Sequence, residues 1–359
     1  MGIARTLICA LALALCGCAS GSGGPGNVLI VVNAKSPDSI AVGGYYASKR
    51  GIAPRFICKI DCPTSENIKQ EIFETTIRDP IRKFLTTNNL RDQIDYIVLT
   101  RRIPIHTSDN WGVDSALACL FQGKPAQMHN PYYNAYGPFS HSEYNMYLVT
   151  RLDGLTLDDA KALVDRSLAA KPEKGLFLLD IDPNWDNAGP GYRVVNDGMR
   201  RAAETLKAKK FGVELDESTD FIVRDKIMGY YGWGYHDRNY KEEEYHKLKF
   251  LPGSIAETAV STSAVTLTAN RDKSVVRSYI IDLVSQGVTG AKGYIYEPYT
   301  DALADAAILF DRYTSGRNLA ESFYAASRYV HWRDMVIGDP LCAPYAKRPP
   351  ISSHVSGRG

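Results

Sequence analysis

No sign of charge dominates this sequence: 42 Lys and Arg stand against 40 Asp and Glu. That balance excludes a polybasic nucleic-acid binder and a chain governed by an acidic tail. Long apolar runs are missing too. The apolar stretch near the start, Thr6 to Leu15, has ten residues, where a membrane-spanning helix needs about 20. Zinc-site spacing is absent, because no His/Cys pair follows Cys58 and Cys62 at a matching distance. The glycine-rich stretch from Asn187 to Gly191 fits neither a dinucleotide-binding loop nor a phosphate loop. Tryptophan is scarce at 4 residues, whereas tyrosine reaches 22. What remains is 45 % hydrophobic and 23 % charged, the composition of a folded globular protein with one large domain or two small ones.

The N-terminus reads as a targeting segment, with Arg5 ahead of the short apolar core. Leu15-Cys16-Gly17-Cys18 then resembles a bacterial lipobox. The resemblance implies removal of residues 1–17, acylation of Cys18 with palmitate-type chains, and attachment of an exported protein to a membrane. Ala19-Ser20 follows, without an aspartate to signal inner-membrane retention, which favours the outer membrane. Residues 18–26 form a Gly/Ser tether. Cys58, Cys62, Cys119 and Cys342 then remain in an oxidising compartment, and their pairing stays open.

Beyond the tether, strands alternate with helices. Asn27 to Val32, Phe56 to Ile60, Ile94 to Leu99 and Gly175 to Asp180 are near-continuous apolar runs, as in strands buried on both faces. Ser36-Pro37-Asp38 starts a helix that Gly51 stops, and Thr156 with Asp159 forms a capping box. Helices are expected at 65–88 (interrupted near Pro80), 193–210, 274–286, 301–313 and 318–330. Further strands are expected at 144–151, 221–230, 253–261 and 290–296. The pattern predicts an α/β fold: a mostly parallel sheet with helices on both faces.

Several segments in order resemble the catalytic domain of gingipain-type cysteine peptidases, which have a caspase-like fold. They are Asp95 to Leu99 followed by Ile103-Pro104, Thr150-Arg151-Leu152 with Thr156 to Val164, Gly229-Tyr230-Tyr231-Gly232-Trp233-Gly234, and Val336-Ile337-Gly338-Asp339-Pro340. The chain as a whole also resembles a family of secreted bacterial lipoproteins. The resemblance implies two lobes, 27–140 and a caspase-like 141–346, before a disordered tail at 347–359. It also implies a departure in chemistry. Trp233 stands at the family's catalytic histidine, and Ser261-Thr262-Ser263 stand where the nucleophilic cysteine is due. An indole N–H donates a hydrogen bond and cannot take a proton, so an active cysteine peptidase is not expected.

Three functional readings follow. The first is an envelope protein that binds a peptide, glycan or protein partner through Tyr231, Trp233, Tyr235, Tyr296, Glu297, Asp182 and Asp186, all near predicted strand ends. The aromatic stretch Pro131 to Phe139 is a further exposed candidate. The second is a hydrolase with Ser261, Thr262 or Ser263 as nucleophile, His236 as base and Asp237 as orienting acid. The third is a structural envelope protein. Asp180, Asp182, Asn184 and Asp186 place oxygen ligands at every second residue, which raises calcium as a cofactor; Trp185 and Gly191 break the EF-hand pattern.

Overall fold

The computed structural model describes residues 23–123, 126–173, 175–271 and 278–347. The expected targeting segment with Cys18 and nearly all of the expected tail lie outside the described residues. Ten strands form one sheet: β1 (Val28–Asn33), β2 (Ile57–Ile60), β3 (Tyr96–Thr100), β4 (Leu148–Leu152), β5 (Leu176–Asp180), β6 (Gly212–Asp216), β7 (Ile227–Gly232), β8 (Phe250–Thr258), β9 (Gly290–Tyr294) and β10 (Asp334–Gly338). Their order is β2-β1-β3-β4-β10-β9-β8-β7-β5-β6. All neighbours are parallel except β9 and β10, which run antiparallel. Strands from 27–140 and from 141–346 share this sheet.

Helices cover both faces. On one, α1 (Pro37–Arg50) packs on α2 (Leu157–Ala169). On the other, α3 (Pro190–Ala208), α4 (Ala306–Thr314) and α5 (Leu319–Ala326) pack together. Helix α1 begins where its sequence says it should: the Ser36 hydroxyl accepts from Ser39 N–H, and Gly51 closes the helix at φ 66°. Thr156 and Asp159 cap α2 reciprocally. Among the described residues no helix is long and apolar enough to cross a membrane.

Several boundaries move from the sequence expectation. The helix expected over 65–88 begins at Gln70, and its interruption is a π-helical turn at Glu74–Arg78, just before Pro80. The strand expected from 144 starts at Leu148, because His141–Tyr144 is a helical turn closed by Asn145 at φ 50°. Of 274–286, the helix Ile280–Ser285 is described and 272–277 lie outside the described residues. The helix expected at 301–313 begins at Ala306, where Asp305 caps it.

The core is continuous through the sheet, and several ion pairs are buried in it. Arg151 holds both Asp114 oxygens, and Arg50 and Tyr46 both donate to Asp339. Cys58, Cys62, Cys119 and Cys342 are buried free thiols.

Candidate functional site

The C-terminal ends of β5, β7 and β8 open onto one side of the sheet, where open α/β sheets place ligands. There the chain forms an open cleft of about 570 Å³, within the range for small-molecule sites. Trp185, Tyr192, Trp233, Tyr235 and Tyr299 supply aromatic surface, and His236, Ser261 and Glu297 supply polar groups.

The aromatic wall is assembled by contacts far apart in sequence. Trp233 follows β7 and stacks on Trp185 with ring centroids 4.8 Å apart and planes 19° off parallel. Tyr192, in the first turn of α3, lies 4.8 Å from Trp185 and 6.4 Å from Trp233. Trp233 Nε1 donates to Asn196 Oδ1 at 2.7 Å. Asn196 Nδ2 in turn donates to the carbonyl of Asp182 at 3.0 Å and to Asp186 Oδ1 at 2.9 Å. Trp185 Nε1 donates to the carbonyl of His236 at 3.1 Å. Both indole N–H groups are therefore committed to the scaffold, and the rings are held rigidly. Tyr299 also lines the cleft and is 62 % exposed. Its φ of 62° is uncommon for an aromatic residue, and its N–H donates to Glu297 Oε1 at 2.9 Å.

His236 and Ser261 line the same cleft. The His236 Nδ1 lies 2.9 Å from the carbonyl of Ala259. A carbonyl only accepts, so Nδ1 carries the proton, and Nε2 bears the lone pair when the ring is neutral. Asp237 does not take that Nδ1 position. Its Oδ1 accepts from Asn239 N–H at 2.7 Å, and burial pushes its carboxyl up to about 6. Of the other two hydroxyls, Thr262 is half-buried just beyond Ser261. Ser263 is fully buried and accepts from Tyr294 N–H at 3.4 Å, so it ties a turn to β9.

The remaining candidates scatter. Tyr231 is buried and donates to the carbonyl of Ala304 at 2.8 Å, on the floor of a neighbouring pocket. Tyr296 is exposed under the Arg333 guanidinium, 4.8 Å from its ring. Pro131 to Phe139 divides: Tyr132 and Phe139 are core residues, and Tyr136 is 71 % exposed over Arg312.

The acidic loop is organised by protein partners. Asp182 Oδ1 accepts from both Asn184 N–H and Asn184 Nδ2, and its Oδ2 accepts from Arg238 N–H. Both Asp186 oxygens are held by Arg200, which with Asn196 keeps that carboxyl below its ordinary value. Asp180 is fully buried, and burial, with Asp237, Asp216 and Asp182 close by, pushes it well above the usual carboxylate range. Among the described residues no group of three or more His, Cys, Asp or Glu side chains is set to hold a metal ion.

Sequence reasoning did not place Trp185, Tyr192 or Asn196 in the site. Trp185 carried a usable signal, since it sits in the loop leaving a buried strand. Asn196 carried none, because a lone asparagine inside a helix reads as a surface residue.

No family model matches the chain, and no curated protein matches it. A solved structure described as "Structure of Protease" is similar with a TM-score of 0.49 at 11 % identity, over 91 % of this chain and 80 % of that chain. A likeness of this degree says nothing about chemistry.

Proposed function

We propose that this protein is a lipid-anchored member of the gingipain-like group that has given up cysteine peptidase chemistry and uses the cleft to bind a peptide or glycan chain. The carrying observation is the aromatic wall of Trp185 and Tyr192, backed by the buried Trp233, in an open cleft at the strand ends that Tyr299 also lines. Aromatic faces of this kind bind extended ligands by burying apolar area, with hydrogen bonding left to the rim. The loss of peptidase chemistry is supported by Trp233, whose N–H is bound to Asn196 and which has no basic nitrogen.

The test is a titration that follows tryptophan fluorescence while a casein hydrolysate or a mixture of chito-oligosaccharides is added. Saturable quenching by one class, lost in Trp185→Ala and Tyr299→Ala, is the expected result. No saturable change with either class overturns the reading.

Lipid attachment is proposed through Cys18 and supported by the lipobox-like Leu15-Cys16-Gly17-Cys18. Incorporation of labelled palmitate in an expressing bacterium should vanish in Cys18→Ser. Fractionation of the same cells tests the outer-membrane placement.

One observation favours a second reading, a hydrolase. His236 Nε2 and Ser261 share the cleft with an acceptor-bound Nδ1 behind them. A fluorophosphonate should then label the protein, and Ser261→Ala or His236→Gln should abolish the label. An unlabelled wild-type protein removes this reading.

A further inference from the structure

Beside the cleft lies a second, smaller cavity of about 160 Å³. The two adjoin, since Thr300 and Leu303 line both. Val194, Val195, Ala304, Ala306 and Ala326 give the smaller one apolar walls, and Tyr231 lies at its floor. Charged groups surround its mouth. Asp305 caps α4 and is bridged by Arg201 at 3.0 Å. Asp301 accepts from the Tyr329 hydroxyl at 2.9 Å, and Arg328 sits over the Tyr133 ring.

Two glycines of α3 shape this cavity. At Gly191 a Cβ would lie 2.5 Å from Thr300 Oγ1, so a side chain there would push that hydroxyl aside. Gly198 is different. A Cβ there would make only ordinary contacts, 3.7 Å to Arg201 and 3.8 Å to Ala306. Glycine inside a helix costs about 0.5–1 kcal/mol relative to alanine, and packing does not demand it at this position. What it provides is open space in the cavity.

We propose that this cavity is the side-chain subsite of the cleft, and that the ligand is a peptide that inserts one neutral aromatic or branched aliphatic side chain into it. The inference rests on the cleft being a binding site and narrows its ligand to a peptide. Size supports it: an apolar cavity of roughly 150 Å³ accommodates a benzene ring. Chemistry supports it as well. A sugar's hydroxyls would face the apolar walls at Val194, Val195 and Ala306, and a charged side chain would lose its hydration against them.

The experiment uses the full-length protein with labelled Val, Leu and Ala methyl groups, observed by NMR. Toluene probes the cavity alone. N-acetyl-phenylalaninamide and N-acetyl-leucinamide are compared with the lysine and glutamate amides. Acetylated tetrapeptide amides carrying phenylalanine among alanines probe cavity and cleft together. The expected result is that toluene and the Phe and Leu probes shift the Val195, Leu303 and Ala304 methyls, while the charged probes do not. The tetrapeptide should bind at least tenfold more tightly than the single-residue amide, and Tyr299→Ala should remove that gain. Gly198→Leu, which fills the cavity, should weaken the Phe probes at least tenfold. Val194→Trp, a change at an exposed mouth position, should do the same without touching the core. Peptides that bind without shifting those methyls and ignore both blocking variants overturn the subsite and leave the cleft reading standing. Toluene binding with no peptide binding overturns both.

Discussion

Asn196 joins three parts of the cleft through one side chain: it accepts from Trp233 and donates to the Asp182 carbonyl and to Asp186. It is fully buried, so Asn196→Ala leaves the Trp233 indole N–H unpaired, while the Asp182 carbonyl keeps the Trp185 backbone N–H as donor. Such an orphan costs about 1–3 kcal/mol. Urea unfolding should therefore show a loss of about 1–3 kcal/mol, together with altered Trp185 and Trp233 emission. At Glu257 the issue is charge. This fully buried carboxyl accepts from the Tyr294 hydroxyl at 2.6 Å, and burial pushes it up to about 7 against the pull of Lys292. The folded state then holds the proton more tightly than the unfolded chain does. Stability therefore falls as pH rises from the ordinary glutamate range through about 7. Glu257→Gln keeps an acceptor for Tyr294 and removes the titration. The drop in unfolding free energy between about pH 5 and pH 8 should shrink by an amount on the order of 3 kcal/mol. Residue-scale features of this kind were the least legible in the sequence. Trp233 was visible because it stands where a resemblance expects histidine, but its partner Asn196 lies 37 positions away, and only the fold brings them together.

Among the elements, helices with sequence-local caps were read most accurately. Ser36, Gly51, Thr156 and Asp159 all act as their positions imply, because a cap is settled within four residues. Strand β6 escaped notice because it is a half-exposed edge: Glu214 and Asp216 alternate with Val213 and Leu215, leaving too few apolar residues to stand out. Helix packing gives two opposite forecasts for the same substitution. At Gly43 of α1 an added Cβ would fall 2.3 Å from Val32 Cγ1, so Gly43→Ala should destabilise the protein by about 1–3 kcal/mol through overpacking. Gly198→Ala meets only ordinary contacts and should stabilise it by about 0.5–1 kcal/mol. Thermal unfolding of the two variants side by side separates steric demand from helix propensity. The loop from Asp182 to Asn187 is fastened by Arg200 and Asn196. Millimolar calcium should therefore leave the melting temperature unchanged, and a clear rise would support the calcium reading.

On the scale of the whole molecule, the alternation of apolar strands and amphipathic helices was enough to read a mostly parallel sheet, since each strand's burial on both faces is written in its own residues. The strand order was not written there. β10 enters the middle of the sheet from the far end of the described chain, a pairing that no local pattern announces. The thiols make a second global statement. Burial pushes Cys58, Cys62 and Cys119 up to about 12 and Cys342 up to about 11. None should react with a thiol reagent such as Ellman's compound in the native state, and all four should react after guanidinium unfolding without reductant. A denatured protein showing fewer than four reactive thiols would reveal a bridge.

Between β4 and β10 the ladder has a single register pair, Arg151 with Ile337. Beside it the Tyr324 hydroxyl accepts from Val149 N–H at 3.0 Å and donates to the Val149 carbonyl at 3.1 Å, doing with one phenol what a neighbouring strand does elsewhere. Tyr324→Phe removes both bonds and should cost about 1–3 kcal/mol in chemical unfolding. The line works like a perforation in a sheet of paper. Pulled from its two outer edges, the molecule should tear there first, at the seam that the last-made strand closes.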